Sequence, residues 1–185
     1  MCEDGPVDVV IEDERWERWG LAALAEAAVL ATLRQAGLDP SRHEVAVLGC
    51  DDARIAGLNE AFRGKAAPTN VLAWPTLERD PGETPQPGAL GDVALAFDTC
   101  RAEASEQGKP MSEHATHLLV HATLHLLGHD HDEDDTARLM ETQEVAILAS
   151  LGLPDPYVPR DGKGGDVPAG RQKAPTHDRP SEASA

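Results

Sequence analysis

Three histidines, His121, His125 and His131, lie in the run His-Ala-Thr-Leu-His-Leu-Leu-Gly-His-Asp-His. Neutral imidazole is the commonest side-chain ligand for a transition metal. His121 and His125 are four residues apart, so a helix sets them one turn apart on one face. Gly128 permits the left-handed backbone on which helices end, and the chain can then turn back and offer His131 as a third ligand. Three imidazoles with one position left open describe a catalytic zinc rather than a structural one. One zinc per chain is the expectation.

The spacing matches that of the metzincin proteases, with one departure that bears on mechanism. Those enzymes carry a glutamate directly after the first histidine as general base; here the position is Ala122. A methyl group accepts no proton. Either another group moves the proton or the substrate is not a peptide.

A helix over this run is well supported. Ser112 is a suitable N-cap with Glu113 in the first turn. Leu118, Leu119, Val120, Leu124 and Leu127 supply its apolar positions. His114, His117, His121 and His125 form one polar stripe. A solvated face would explain the stripe, but not the glycine break followed by Asp130 and His131. His114 and His117 read as residues behind the ligands or at the surface. His129 reads as exposed beside the turn. Asp130 would fix the turn or orient an imidazole.

Composition sets the outer limits. At 185 residues the chain suits one domain with a real core. No run of 18 apolar residues exists, and the acidic start, Met-Cys-Glu-Asp-Gly-Pro, lacks the order of a signal peptide. Cys2, Cys50 and Cys100 are isolated, so they read as reduced thiols, and the expected location is the cytoplasm. The formal charge of −17 argues against a general nucleic-acid binder. A local basic cleft could override that field, with Arg63 and Lys65 as its candidates. Arg42 and Arg54 read as ordinary surface cations.

The pattern of apolar residues predicts strands at 7–12, 43–49, 70–74 and 90–97. It predicts helices at 14–37, 51–62 (Leu58 and Phe62 turned inward), 99–107, over the histidine run, and at 134–151. Residues 78–88, rich in Pro and Gly, form a loop. The fold class expected is α+β (mixed α/β): a small four-stranded sheet packed against about five helices. Asp132, Glu133, Asp134 and Asp135 suit the start of the last helix, where negative charge is favourable. Residues 1–153 form the folded domain. Residues 154–185, poor in apolar side chains, read as a disordered tail.

Two long stretches resemble the YbeY family of bacterial zinc-dependent endoribonucleases. Its metal signature reads H-G-x-L-H-L-x-G, then Tyr or His, then D-H. All three histidines, Leu124, Leu126, Gly128 and Asp130 match, and Ala122 replaces Gly. The stretch from Leu58 to Pro75 resembles L-N-x-x, then Phe or Tyr, then R-G-x-x-x-P-T-D-V-L-S-F-P, with Asn70, Ala73 and Trp74 in place of Asp, Ser and Phe. Leu90-Gly91-Asp92-Val93 matches as well, as do Met140, Glu141, Glu144, Ile147, Leu148 and Gly152. The resemblance covers about residues 5 to 153.

That resemblance implies His121, His125 and His131 as zinc ligands, with Arg63 and His121 serving catalysis. It implies single-strand-specific cleavage in maturation of the 3′ end of the small-subunit ribosomal RNA, and ribosome quality control. The small ribosomal subunit would be the partner; no DNA or membrane partner is expected. A fixed guanidinium at Arg63 suits phosphate oxygens and transition-state charge. Two alternatives stay open: a ribosome-assembly factor with a structural zinc, and a metal-dependent hydrolase of another substrate such as peptide.

Overall fold

The computed structural model describes residues 5–160. Four strands, β1 (Val7–Ile11), β2 (His43–Cys50), β3 (Val71–Pro75) and β4 (Gly88–Ala96), form one sheet in the order β1-β2-β4-β3. β1, β2 and β4 run parallel and β3 pairs antiparallel with β4 at the edge. Among the described residues six α-helices accompany them: α1 (Arg15–Arg18), α2 (Leu21–Gln35), α3 (Asp52–Arg63), α4 (Phe97–Glu106), α5 (Met111–Leu126) and α6 (Asp134–Ser150). The mixed α/β class and the four-stranded sheet are as the sequence predicts. The sixth helix arises because the predicted helix at 14–37 is two. Gly20 adopts φ 68° and breaks it, so that Trp16 and Leu21 both reach the core.

Alternation along the strands divides the interior in two. Val45, Val47, Val71, Ala73, Val93 and Leu95 face a large core built with α2, α5 and α6. Cys50, Leu72, Ala94 and Ala96 face a small core built with Ile55 of α3. One extra residue of β4 breaks the register between Glu44 and Val45, and Leu90 thereby points into the large core.

α5 is the central helix. It packs on α2, α4, α6, β3 and β4, and nearly all its residues are buried. Its start differs from the sequence reading. Pro110 precedes the first turn, Ser112 lies inside it, and no side chain caps the helix. α6 begins on a capping box between Glu133 and Thr136, which accounts for part of the acidic cluster there. Asp51 caps α3 through Arg54 N at 2.8 Å.

Among the described residues no helix is long and apolar enough to cross a membrane. The chain does not leave the domain at residue 154. Lys109 Nζ donates to Pro156 O at 3.0 Å, Arg160 pairs with Glu113, and Tyr157 reaches the interior. The rest of the expected tail, 161–185 with His177, lies outside the described residues, as does Cys2.

Candidate metal centre

α5 ends on a turn that explains the spacing of the three histidines. Gly128 N–H donates to His125 O at 3.0 Å and His129 N–H to Leu124 O at 3.1 Å, with Gly128 at φ 93°. This is the Schellman arrangement. It reverses the chain and brings His131 back over α5. The ligand-capable nitrogens of His121, His125 and His131 then lie within 4.8 Å of one another, a group able to hold a metal ion. His121 Nε2 and His125 Nε2 are 3.1 Å apart. Two nitrogens on a tetrahedral zinc would stand roughly 3.3 Å apart, given Zn–N bonds of about 2.0–2.1 Å. His131 Nε2 is buried and has no hydrogen-bond partner among the described residues. A buried polar atom left without a partner is costly, and a shared cation would satisfy it. The donor set fits a zinc ion.

Glu144 of α6, wholly buried, orients His121. Its carboxylate accepts from His117 Nε2 at 2.9 Å, from His121 Nδ1, and from the Tyr157 hydroxyl. An ionised carboxylate only accepts, so His121 carries its proton on Nδ1 and turns the Nε2 lone pair toward His125 and His131. Burial alone would raise the Glu144 carboxyl. Its interaction with His121 and the imidazole hydrogen bonds outweigh it and hold the group well below the usual carboxylate range. Burial and the neighbouring Glu144 charge push the Tyr157 hydroxyl up, so it stays a donor. Burial pulls His117 and His131 down, which keeps both imidazoles neutral.

The structure decides several assignments. Of the two readings of His114 and His117 it gives the buried one, on α5 behind the triad rather than at the surface. His129 is half-buried, against the expected exposure, because the turn folds it onto the cleft. Asp130 takes the turn side of its two readings, accepting from Asp132 N at 3.4 Å; the carboxylate on an imidazole of the triad is Glu144. Sequence reasoning passed over Glu144 and Tyr157 as site residues. The signal available for Glu144 was an acid on an otherwise inward stripe with Met140, Ile147 and Leu148.

A cleft of about 170 Å³ opens beside the histidines. Arg63, Arg79, Glu78, His125 and Asp130 line it, with Phe62 and Trp74. Arg63 is half-buried, and burial pulls its guanidinium down from the ordinary value, although a guanidinium stays charged at neutral pH. Its placement follows from the Leu58–Pro75 motif. Gly64, at φ 68°, turns the chain as α3 ends, and buried Asn59 holds the returning loop by donating to Ala67 O at 2.9 Å. Lys65 does not line the cleft, and Arg54 pairs with Glu12 at 3.1 Å. Cys50 and Cys100 stay buried away from the triad, with their sulfurs on Leu95 O and Asn70 O.

Asn70 has a structural account of its own. Its amide donates to Glu103 at 3.2 and 3.0 Å, while His114 Nε2 contacts the same carboxylate at 2.7 Å. An aspartate there would replace a donor by a like charge. Asn70→Asp should cost about 1–3 kcal/mol at pH 7 in denaturant unfolding. A carboxylate pair raises the pKa it shares, so the deficit should shrink as pH falls toward 5. A deficit that does not change with pH would refute this account.

Comparison with known proteins agrees with the geometry. The family model "Endoribonuclease YbeY" matches residues 8–152. A protein of Paracoccus denitrificans named Endoribonuclease YbeY is 56% identical over 158 residues, covering 82% of this chain and 90% of its own. A namesake of Cereibacter sphaeroides is 54% identical, covering 82% and 98%. Another of Rhodopseudomonas palustris is 44% identical, covering 83% and 82%. The solution structure of TM1509 from Thermotoga maritima shares the fold at TM-score 0.51 and 18% identity, over 79% of this chain and 91% of that one. The chain belongs to the Endoribonuclease YbeY family.

Proposed function

We propose that the protein is a zinc-dependent, single-strand-specific endoribonuclease of ribosomal RNA maturation, with His121, His125 and His131 holding one zinc. One observation carries this reading: Arg63 and His125 line the same cleft, at the edge of three converging imidazoles. A zinc bound there would supply Lewis acidity and an activated water at neutral pH. Glu144 keeps the His121 lone pair turned inward. Arg63 donates to phosphate oxygens and offsets the charge that builds on the phosphodiester as it breaks. Ala122, where a peptidase of this spacing carries its base, favours a phosphodiester over a peptide bond. Among the described residues no fourth ligand joins the triad, which favours a catalytic over a purely structural metal. The ribosomal setting is carried over from the family: the 3′ end of the small-subunit RNA, ribosome quality control, the small subunit as partner, and the cytoplasm. The folded unit proposed extends past residue 153 to take in Tyr157, whose hydroxyl reaches Glu144.

The test pairs metal content with cleavage of a single-stranded ribosomal RNA fragment. Wild type should hold about one zinc per chain and cut the RNA. His125→Ala should lose both properties. Arg63→Ala should keep the metal and lose about 10²–10³ in rate, the cost of one such donor. Zinc without cleavage in every sample, ribosomal particles included, would replace this reading by a binding factor. Product ends separate two routes: cyclic phosphates mark attack by the RNA's own 2′-hydroxyl, and 3′-hydroxyl ends mark attack by water.

A further inference from the structure

Phe62 lines the cleft and faces solvent, 57% exposed. The sequence pattern places it on the inward stripe of α3, but it sits in the last turn, directly before Arg63. Its ring stands 5.1 Å from that of Trp74, tilted by 53°. Trp74 packs against the small core under α3, so the pair is anchored from below and open above. Trp74 Nε1 is buried, so the exposed part of the indole is not its polar edge. The cleft therefore offers a ring face next to a fixed positive charge and a candidate metal ligand.

We propose that Phe62, seated on Trp74, is a stacking platform for an unpaired nucleobase adjoining the phosphate held at Arg63. This rests on the RNA-cleaving reading and adds a base subsite to it. Every nucleobase has a π-face, and stacking on an aromatic side chain tolerates any base. Bases in a duplex are already stacked on each other and offer no free face, so the platform selects single strands.

The test is equilibrium binding by the metal-loaded full chain, followed by fluorescence anisotropy. The probes are a short single-stranded oligoribonucleotide, its duplex, and the same ribose-phosphate chain without bases, with integrity checked on a gel. Phe62→Ala should bind the single strand roughly 5- to 150-fold more weakly, the range for losing one stacked base. Phe62→Tyr should bind like wild type. The two proteins should bind the baseless chain equally. Phe62 is exposed, so an unchanged melting temperature should certify each variant's fold. Equal affinity of wild type and Phe62→Ala for the intact strand would overturn the platform and leave the nuclease reading standing. A concentration-dependent dimer lost in Phe62→Ala, with RNA affinity intact, would overturn it too and assign the patch to a second copy. Wild type that neither binds nor cuts single-stranded RNA would remove the parent reading and the platform together.

Discussion

Glu144→Ala is expected to lower stability by about 3–5 kcal/mol, because one buried carboxylate accepts from three groups that would all lose their acceptor. For a chain of this size that is a fall of about 6–20 °C in melting temperature. Metal affinity should drop as well, by about 10- to 100-fold, the usual cost of losing the group that orients a ligating imidazole. Glu144→Gln separates the two effects. Its amide keeps the shape but has one accepting oxygen and one donating nitrogen, so it cannot accept from His117, His121 and Tyr157 together. If the donating end meets His121, the imidazole must move its proton to Nε2 and lose the lone pair aimed at the triad. We therefore expect Glu144→Gln to melt close to wild type yet bind zinc weakly. Competition with a chelator reads the affinity without any cleavage assay. Glu144→Gln with wild-type zinc affinity would show that the carboxylate does not govern His121.

Gly128→Ala is expected to be nearly as damaging, for a reason with two parts. The residue lies at φ 93°, where a side chain costs about 1–2 kcal/mol. A Cβ there would also stand 2.3 Å from Arg79 O and 2.9 Å from the carbonyl carbons of Arg79 and Asp80. Those atoms are backbone, and Arg79 is tied to the same helix end through Nη1 to Leu126 O at 2.6 Å. Overpacking of this kind adds about 1–3 kcal/mol. The turn would shift and carry His131 away from the other two imidazoles, so zinc stoichiometry should fall with stability. Gly152 is the matched control. It ends α6 at φ 76° with the same pair of turn hydrogen bonds, and nothing lies within 4 Å of its Cβ position. Gly152→Ala should cost only the backbone term, about 1–2 kcal/mol, and leave zinc binding intact. Equal losses in the two variants would show that the packing against Arg79 is irrelevant.

Most elements were legible because their signals are local. Val7–Ile11 and His43–Cys50 alternate along their length, and Asp51 marks the start of α3. The errors fall where a local pattern meets something distant. The 14–37 run reads as one helix because a single glycine in an alanine-rich segment carries little weight. Gly20 breaks it because Trp16 and Leu21 must both approach Gly49, whose missing Cβ leaves room for them. Phe62 follows the helical period of Ile55 and Leu58, but α3 packs on the small-core side of the sheet, and its last turn runs past that core to rest on Trp74. His129 reads as exposed in a polar turn, yet the loop after β3 folds over that turn.

The convergence of His121, His125 and His131 was determined by the sequence itself. Four-residue spacing on a helix and a glycine turn are short-range constraints, and few neighbours can alter where they aim. Tertiary structure decided everything that gives the triad its setting. Glu144 is 23 residues from His121 and Tyr157 is 13 beyond that, so only the packing of α6 and the returning chain on α5 makes them partners. Arg63 reaches the same cleft as His125 because α3 and α5 lie on opposite faces of one sheet and their last turns both border the cleft at its β3 edge. Side-chain periodicity encodes which face of an element a residue occupies. What that face meets is set by long-range burial of apolar surface, which no single segment of the chain carries.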